Sequence, residues 1–234
     1  MRNRMYRLAT ILLMTGVLLL QGCASPYSSA GELDEQTYAH EAPDGDAVEY
    51  FLAVALSGFE FGSAPSVVYK WTDDILIQVT GSPAESDETA LDQVIDDLND
   101  LIAPLQIRRV ATGGNVTIFY GPDEEFPRQV RGYTPGNRGY FAVNYSSSHA
   151  IRSSKILIST NVTKKARAHL VREELTQSLG MFRDSWDYED SIFYQGWTTT
   201  GTYAPIDETV VRLLYDPRLK PGMTREQVLA LLDA

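Results

Sequence analysis

The chain of 234 residues has a single cysteine, only three histidines and no apolar stretch long enough to cross a bilayer comfortably. Its one cysteine is Cys23. Everything after it therefore lacks a disulfide, a thiol nucleophile and a thiolate metal ligand, and must be stabilised by its core. His40 and His149 are far in sequence from His169, which argues against a three-histidine zinc site. There is no His-Glu-x-x-His, no Gly-rich phosphate loop and no nucleotide fingerprint, and Ser178 sits in no Gly-x-Ser-x-Gly elbow. Basic residues are also scarce, with 20 Lys and Arg against 31 Asp and Glu and a formal charge of -11. Such an acidic surface disfavours nucleic acid or anionic lipid as a general partner.

The first residues carry Arg2, Arg4 and Arg7, then an apolar run from Leu8 to Leu20, then Leu20-Gln21-Gly22-Cys23. A basic start, a short apolar run and a small residue before a cleavage point make a secretory signal. The stretch resembles a bacterial lipoprotein signal. That resemblance implies cleavage before Cys23, a diacylglycerol on its sulfur and an acyl chain such as palmitate on the new amino terminus. The implied partner is membrane lipid, held through acylated Cys23. Ala24 lacks the acidic signal that retains such proteins at the inner membrane, so the expected place is the periplasmic face of the outer membrane. Loss of residues 1–22 removes three arginines and no acid, which takes the formal charge from -11 to -14.

Residues 23–46 are rich in Ser, Pro, Gly, Asp and Glu and read as a flexible tether. Residues 47–234 read as one domain of the α+β class. SVVYKWTDDILIQVTG is a pair of strands or one long bent strand, and Leu91, Val94, Leu98 and Leu101 mark an amphipathic helix that ends at Pro104. LQIRRV, NVTIFYG, GYFAVNYS and SKILIST are short strand candidates. A helix from Thr163 follows, stopped by Gly180 as a C-cap candidate. The aromatic segment DSWDYEDSIFYQGWTTTGTY has no clean period and reads as a long loop, before two closing helices, the second with a Thr224 to Gln227 capping-box spacing.

The helix that contains REELTQSLG carries the chemistry. At about 100° per residue, Glu174 falls in the middle of the apolar face made by Leu170, Val171, Ser178 and Met181. A buried carboxylate must be paired, protonated or functional. Arg167 is the one nearby base on that side, whereas His169 falls near the opposite face and reads as solvated. Glu173 reads as a surface helix residue and Gln177 as a hydrogen-bonding partner inside the fold.

Glu173-Glu174-Leu175-Thr176-Gln177-Ser178-Leu179-Gly180 resembles the zincin helix, His-Glu-x-x-His-x-x-Gly. The resemblance implies a zincin-like mixed sheet with an active-site-type helix and a partly irregular helical C-terminal part. It puts Glu173 and Gln177 where the zinc-binding histidines would stand, Glu174 at the water-activating glutamate, Gly180 at the turn glycine and Arg183 at the third histidine of the longer motif. Gln177 is a weak neutral ligand and Arg183 cannot be one, so the presumed base persists without the metal cage. Residues 47–223 as a whole resemble the bacterial domain of unknown function 2927, through YFLAVALSGFEFG, VYKW, REELTQSLG, DSIFYQG and IDETVVRLLYDPRLKPGM.

The expected function is that of a lipid-anchored envelope protein with a degenerate zincin-like site and a non-catalytic binding or structural role, without a cofactor. The alternative is a peptidase-like hydrolase in which Glu174 is the general base and Gln177 its neighbour, with an unconventional metal or none. Glu173 and Asp184 are the candidate ligands for a divalent metal, alongside an acidic loop with Asp187, Glu189 and Asp190. Trp186, Tyr194, Trp197 and Tyr203 are the candidate walls of a groove for a peptide or an envelope polymer.

Overall fold

A computed structural model describes residues 44–58 and 66–232. Cys23, the signal segment, His40 and most of the tether lie outside the described residues.

The fold is a mixed α/β arrangement in which a central sheet is flanked by helices. Helix α1 (Gly45–Ala55) comes first, capped by the Asp44 side chain. Strands β1 (Lys70–Trp71) and β2 (Ile75–Gly81) follow, then helix α2 (Glu85–Leu101). β3 (Ile107–Arg109), β4 (Val116–Gly121), the short helix α3 (Phe126–Gln129), β5 (Gly139–Tyr145) and β6 (Ala150–Ser159) come next. Helices α4 (Lys164–Gln177), α5 (Pro205–Tyr215) and α6 (Arg225–Leu232) close the chain. The sheet runs β1-β6-β4-β2-β3 with every pair parallel, and β5 alone lies antiparallel, paired with β6.

The strands of SVVYKWTDDILIQVTG are separate and do not pair with each other, since β6 and β4 lie between β1 and β2 in the sheet. Local composition marks a strand, but its partner is a matter of distant contacts. Side chains of successive strand residues point to opposite faces. Ile118, Tyr120, Ile156 and Ile158 accordingly enter the main core, while Phe119 and Leu157 form a smaller cluster on the other face under Phe126 of α3.

On the main side, α2 buries Leu91, Val94, Leu98 and Leu101, as its spacing predicts, and packs against α4. Helix α4 is capped by Thr163, whose hydroxyl accepts from the Ala166 N–H, and rests on β5 and β6. The capping box of α6 is formed: the Thr224 N–H donates to Gln227 Oε1 at 2.9 Å and the Gln227 N–H returns to Thr224 Oγ1 at 3.4 Å.

The end of α4 is held from several sides. The Gly180 N–H donates to the Gln177 carbonyl at 2.9 Å, at a φ of +130°, and a Cβ there would run into the Tyr69 carbonyl. Trp71 Nε1 donates to the Ser178 carbonyl at 3.1 Å and the Tyr215 hydroxyl to the Leu179 carbonyl at 3.0 Å. These contacts satisfy carbonyls that a helix end leaves open.

Candidate functional site

Between β5, α4 and the segment after it lies a cleft of about 330 Å³. Arg138, Gly139, Tyr140 and Phe141 form its first wall, at the start of β5. His169, Glu173, Glu174 and Gln177 of α4 supply its floor, and Asp184 with Tyr194 to Thr198 supplies the second wall. Glu174 is buried, as most of α4 is, and its carboxylate lies hard against the backbone of Gly139. A Cβ on Gly139 would come within 2.9 Å of the Glu174 Cδ and clash with its oxygen. Glycine at the head of this strand is what lets the carboxylate lie there. Burial, and then the Glu174 charge, push the Tyr140 hydroxyl above the usual phenol range.

The structure places two helix residues differently from the wheel. His169 is buried and lines the cleft, because the segment through Thr198 and Thr200 folds across the face that a free helix would expose to water. Its Nδ1 lies 2.9 Å from the Thr200 carbonyl, which can only accept, so Nδ1 carries a proton. Its Nε2 meets Glu173 Oε2 at 3.2 Å. Burial by itself would lower the imidazole pKa. The Glu173 hydrogen bond and charge, with the Thr200 carbonyl, outweigh it and raise the value above the usual range for histidine. Arg167, for its part, donates to Asp87 of α2 at 2.8 Å and to the Val162 carbonyl.

Gln177 donates from Nε2 to Asp184 Oδ1 at 2.5 Å, joining the end of α4 to the second wall. Of the aromatic residues, Tyr194 and Trp197 line the cleft, and Trp186 stands edge-on to Tyr194 with ring centroids 5.4 Å apart. Trp186 and Trp197 are 68% and 64% exposed, a rare state for so large an apolar side chain. Tyr203 lies outside the lining: its ring stacks under the Arg172 guanidinium at 4.4 Å and its hydroxyl donates to Thr176 at 2.6 Å. Arg172 itself pairs with Asp97 of α2 at 2.7 Å.

The second wall is fixed at its base by Asp207, which is fully buried at the start of α5. Its carboxylate accepts from Ser191 Oγ at 2.5 Å, the Ile192 N–H at 3.0 Å and the Ala204 N–H at 2.8 Å. Ser191 in turn accepts from the Tyr50 hydroxyl of α1 at 2.7 Å. Burial raises the Asp207 pKa, against the pull of these hydrogen bonds.

The family described as a protein of unknown function, DUF2927, matches residues 44–234. The chain belongs to the DUF2927 family. No curated protein matches it. Two solved structures of myroilysin resemble it. One has a TM-score of 0.44 and 11% identity, over 73% of this chain and 96% of that one. The other has a TM-score of 0.41 and 10% identity, over 76% and 97%.

The separated motifs by which this DUF2927 chain resembles its family are contact partners. Tyr50 of YFLAVALSGFEFG, Ser191 of DSIFYQG and Asp207 of IDETVV form one network. Lys70 and Trp71 of VYKW meet the end of α4 and the turn after α5: Lys70 Nζ donates to the Asp216 and Leu219 carbonyls, both at 3.3 Å. Both networks position α4 and the wall beside it.

The donor set of the DUF2927 cleft does not fit a zinc ion. Glu173 is bonded to His169, Gln177 turns its N–H group to Asp184, and Arg183 is cationic and outside the lining. Among the described residues no three His, Cys, Asp or Glu side chains gather as metal ligands. The candidate divalent pair, Glu173 and Asp184, shares the cleft, but Asp187, Glu189 and Asp190 do not line it. Sequence reasoning missed Arg138, Gly139, Tyr140 and His169. Gly139 alone carried a local signal, a glycine opening a strand where another group comes close.

Proposed function

We propose that this chain is a lipid-anchored protein of the cell envelope that binds an extended peptide segment in the cleft beside α4 and does not cleave it. The observation that carries this reading is the use of the two helix positions where a zincin-like site would hold metal. Glu173 is bonded to His169 and Gln177 to Asp184, while the cleft beside them stays open under an exposed aromatic rim. Exposed tryptophan and tyrosine supply rigid contact area at low entropic cost. Strand β5 supports a peptide ligand because it pairs with β6 alone among the described strands, which leaves a backbone edge for an added strand.

The test uses the full chain purified in detergent without chelator. Peptide binding, followed by tryptophan fluorescence, is expected without turnover of quenched-fluorescence peptides and without stoichiometric metal. Lipid attachment is checked by incorporation of labelled palmitate, expected to vanish in Cys23→Ser. A second reading rests on the burial of Glu174 beside Tyr140, an environment suited to a general base. Peptide hydrolysis that is lost in Glu174→Gln with folding intact would establish that hydrolase and remove the binding-only reading, and stoichiometric metal lost in a Glu173→Ala/Glu174→Ala variant would remove the metal-free site.

A further inference from the structure

The charge and shape of the cleft narrow its ligand. Its lining holds three carboxyl side chains, Glu173, Glu174 and Asp184, against two bases, Arg138 and His169. Both bases are already engaged. Arg138 pairs with Asp123, an acid outside the lining, and His169 is bonded to Glu173. Formal charge over the lining and Asp123 together is therefore negative even with His169 protonated. The rim adds a second, independent feature. Trp197 on the lining and Trp186 beside Tyr194 are two of the three large apolar side chains exposed among the described residues.

An aromatic face attracts a cation through its quadrupole, most strongly in tryptophan, and a carboxylate in a partly desolvated cleft attracts the same cation by charge. A lysine or arginine side chain suits both, since its apolar stem lies along rings while its charged end reaches on. A neutral apolar side chain would satisfy the rings but add nothing that balances the net negative lining, and an acidic one would be repelled.

We propose that the cleft takes the cationic side chain of a lysine or arginine carried by an extended peptide, with the stem against Trp197 and the charged end toward Glu174 and Asp184. This rests on the peptide-binding reading above and adds its specificity. The ligand class is basic peptide.

The experiment measures binding of three pentapeptides to the full chain by tryptophan fluorescence: acetyl-Ala-Ala-X-Ala-Ala-amide with X as lysine, norleucine or glutamate. The lysine peptide is expected to bind about tenfold or more tightly than the norleucine one, with the glutamate peptide weakest and the lysine preference shrinking as salt is raised. Glu174→Gln or Asp184→Asn should cut the preference for lysine over norleucine severalfold. Trp197→Ala should weaken both. The peptide series on the unaltered chain keeps the test intact if a variant fails to fold. Equal binding of the lysine and norleucine peptides would overturn the cationic specificity while leaving peptide binding standing. Tighter binding of the glutamate peptide would overturn it in the same way. No binding by any of the three would overturn both.

Discussion

Replacing Asp207 with alanine should loosen the second wall of the cleft and lower stability by about 3–5 kcal/mol. Three donors lose their acceptor at once: the Ser191 hydroxyl, the Ile192 N–H and the Ala204 N–H. Each buried donor left without a partner costs about 1–3 kcal/mol, and water entering the vacated space recovers part of the sum. The Ala204 bond also closes the first turn of α5, so the helix loses its cap. Since a domain holds only about 5–15 kcal/mol in all, the variant should remain folded but unfold at much lower urea. Ser191→Ala removes the link between Tyr50 and Asp207, and should cost about 1–2 kcal/mol alone but much less when added to Asp207→Ala, because the two side chains act as one network. Urea unfolding of the chain and its three variants supplies the cycle. A loss below about 1 kcal/mol for Asp207→Ala, or strict additivity of the pair, would refute the claim that this network holds the wall.

Two further outcomes follow from the geometry. Lys70 is buried, and burial, with the charge of Lys220, lowers its pKa from 10.5 to about 8 against the opposing pull of Asp216. Between those values the unfolded chain holds more protons than the folded one, so stability should rise with pH, by about 2 kcal/mol from pH 7 to 9.5. That rise should be missing from Lys70→Met, and parallel stability curves for the two proteins would refute it. Gly139→Ala forces the Glu174 carboxylate away from β5 and should cost about 1–3 kcal/mol together with a loss of peptide affinity. An unchanged melting temperature and unchanged affinity would mean that the carboxylate moves aside freely.

Much of the framework was legible because it depends on short-range patterns. The period of Leu91, Val94, Leu98 and Leu101 places α2 against the core, the Thr224 to Gln227 spacing starts α6, and the aromatic segment is irregular between α4 and α5. The central burial of Glu174 was also legible, since an apolar helix face is a local property. The surroundings of the other α4 residues were not. His169 is buried by a segment about 30 residues further on, and Arg167 finds its acid, Asp87, across the helix pair. A wheel drawn for one helix knows one buried face, whereas α4 is covered on several sides.

The sequence alone determined where helices α2 and α4 and the two closing helices lie, that the chain after Cys23 must be stable without a disulfide, and that Glu174 is buried. Tertiary structure decided which strand pairs with which, that Gly139 faces the Glu174 carboxylate, and that Gln177 turns to Asp184 and Glu173 to His169. The division has a physical cause. Periodicity and capping depend on residues within a turn or two, which the order of amino acids specifies directly. The cleft is made by β5, α4 and the segment after it, and the partner of each polar group there is whichever group packing brings within hydrogen-bond distance.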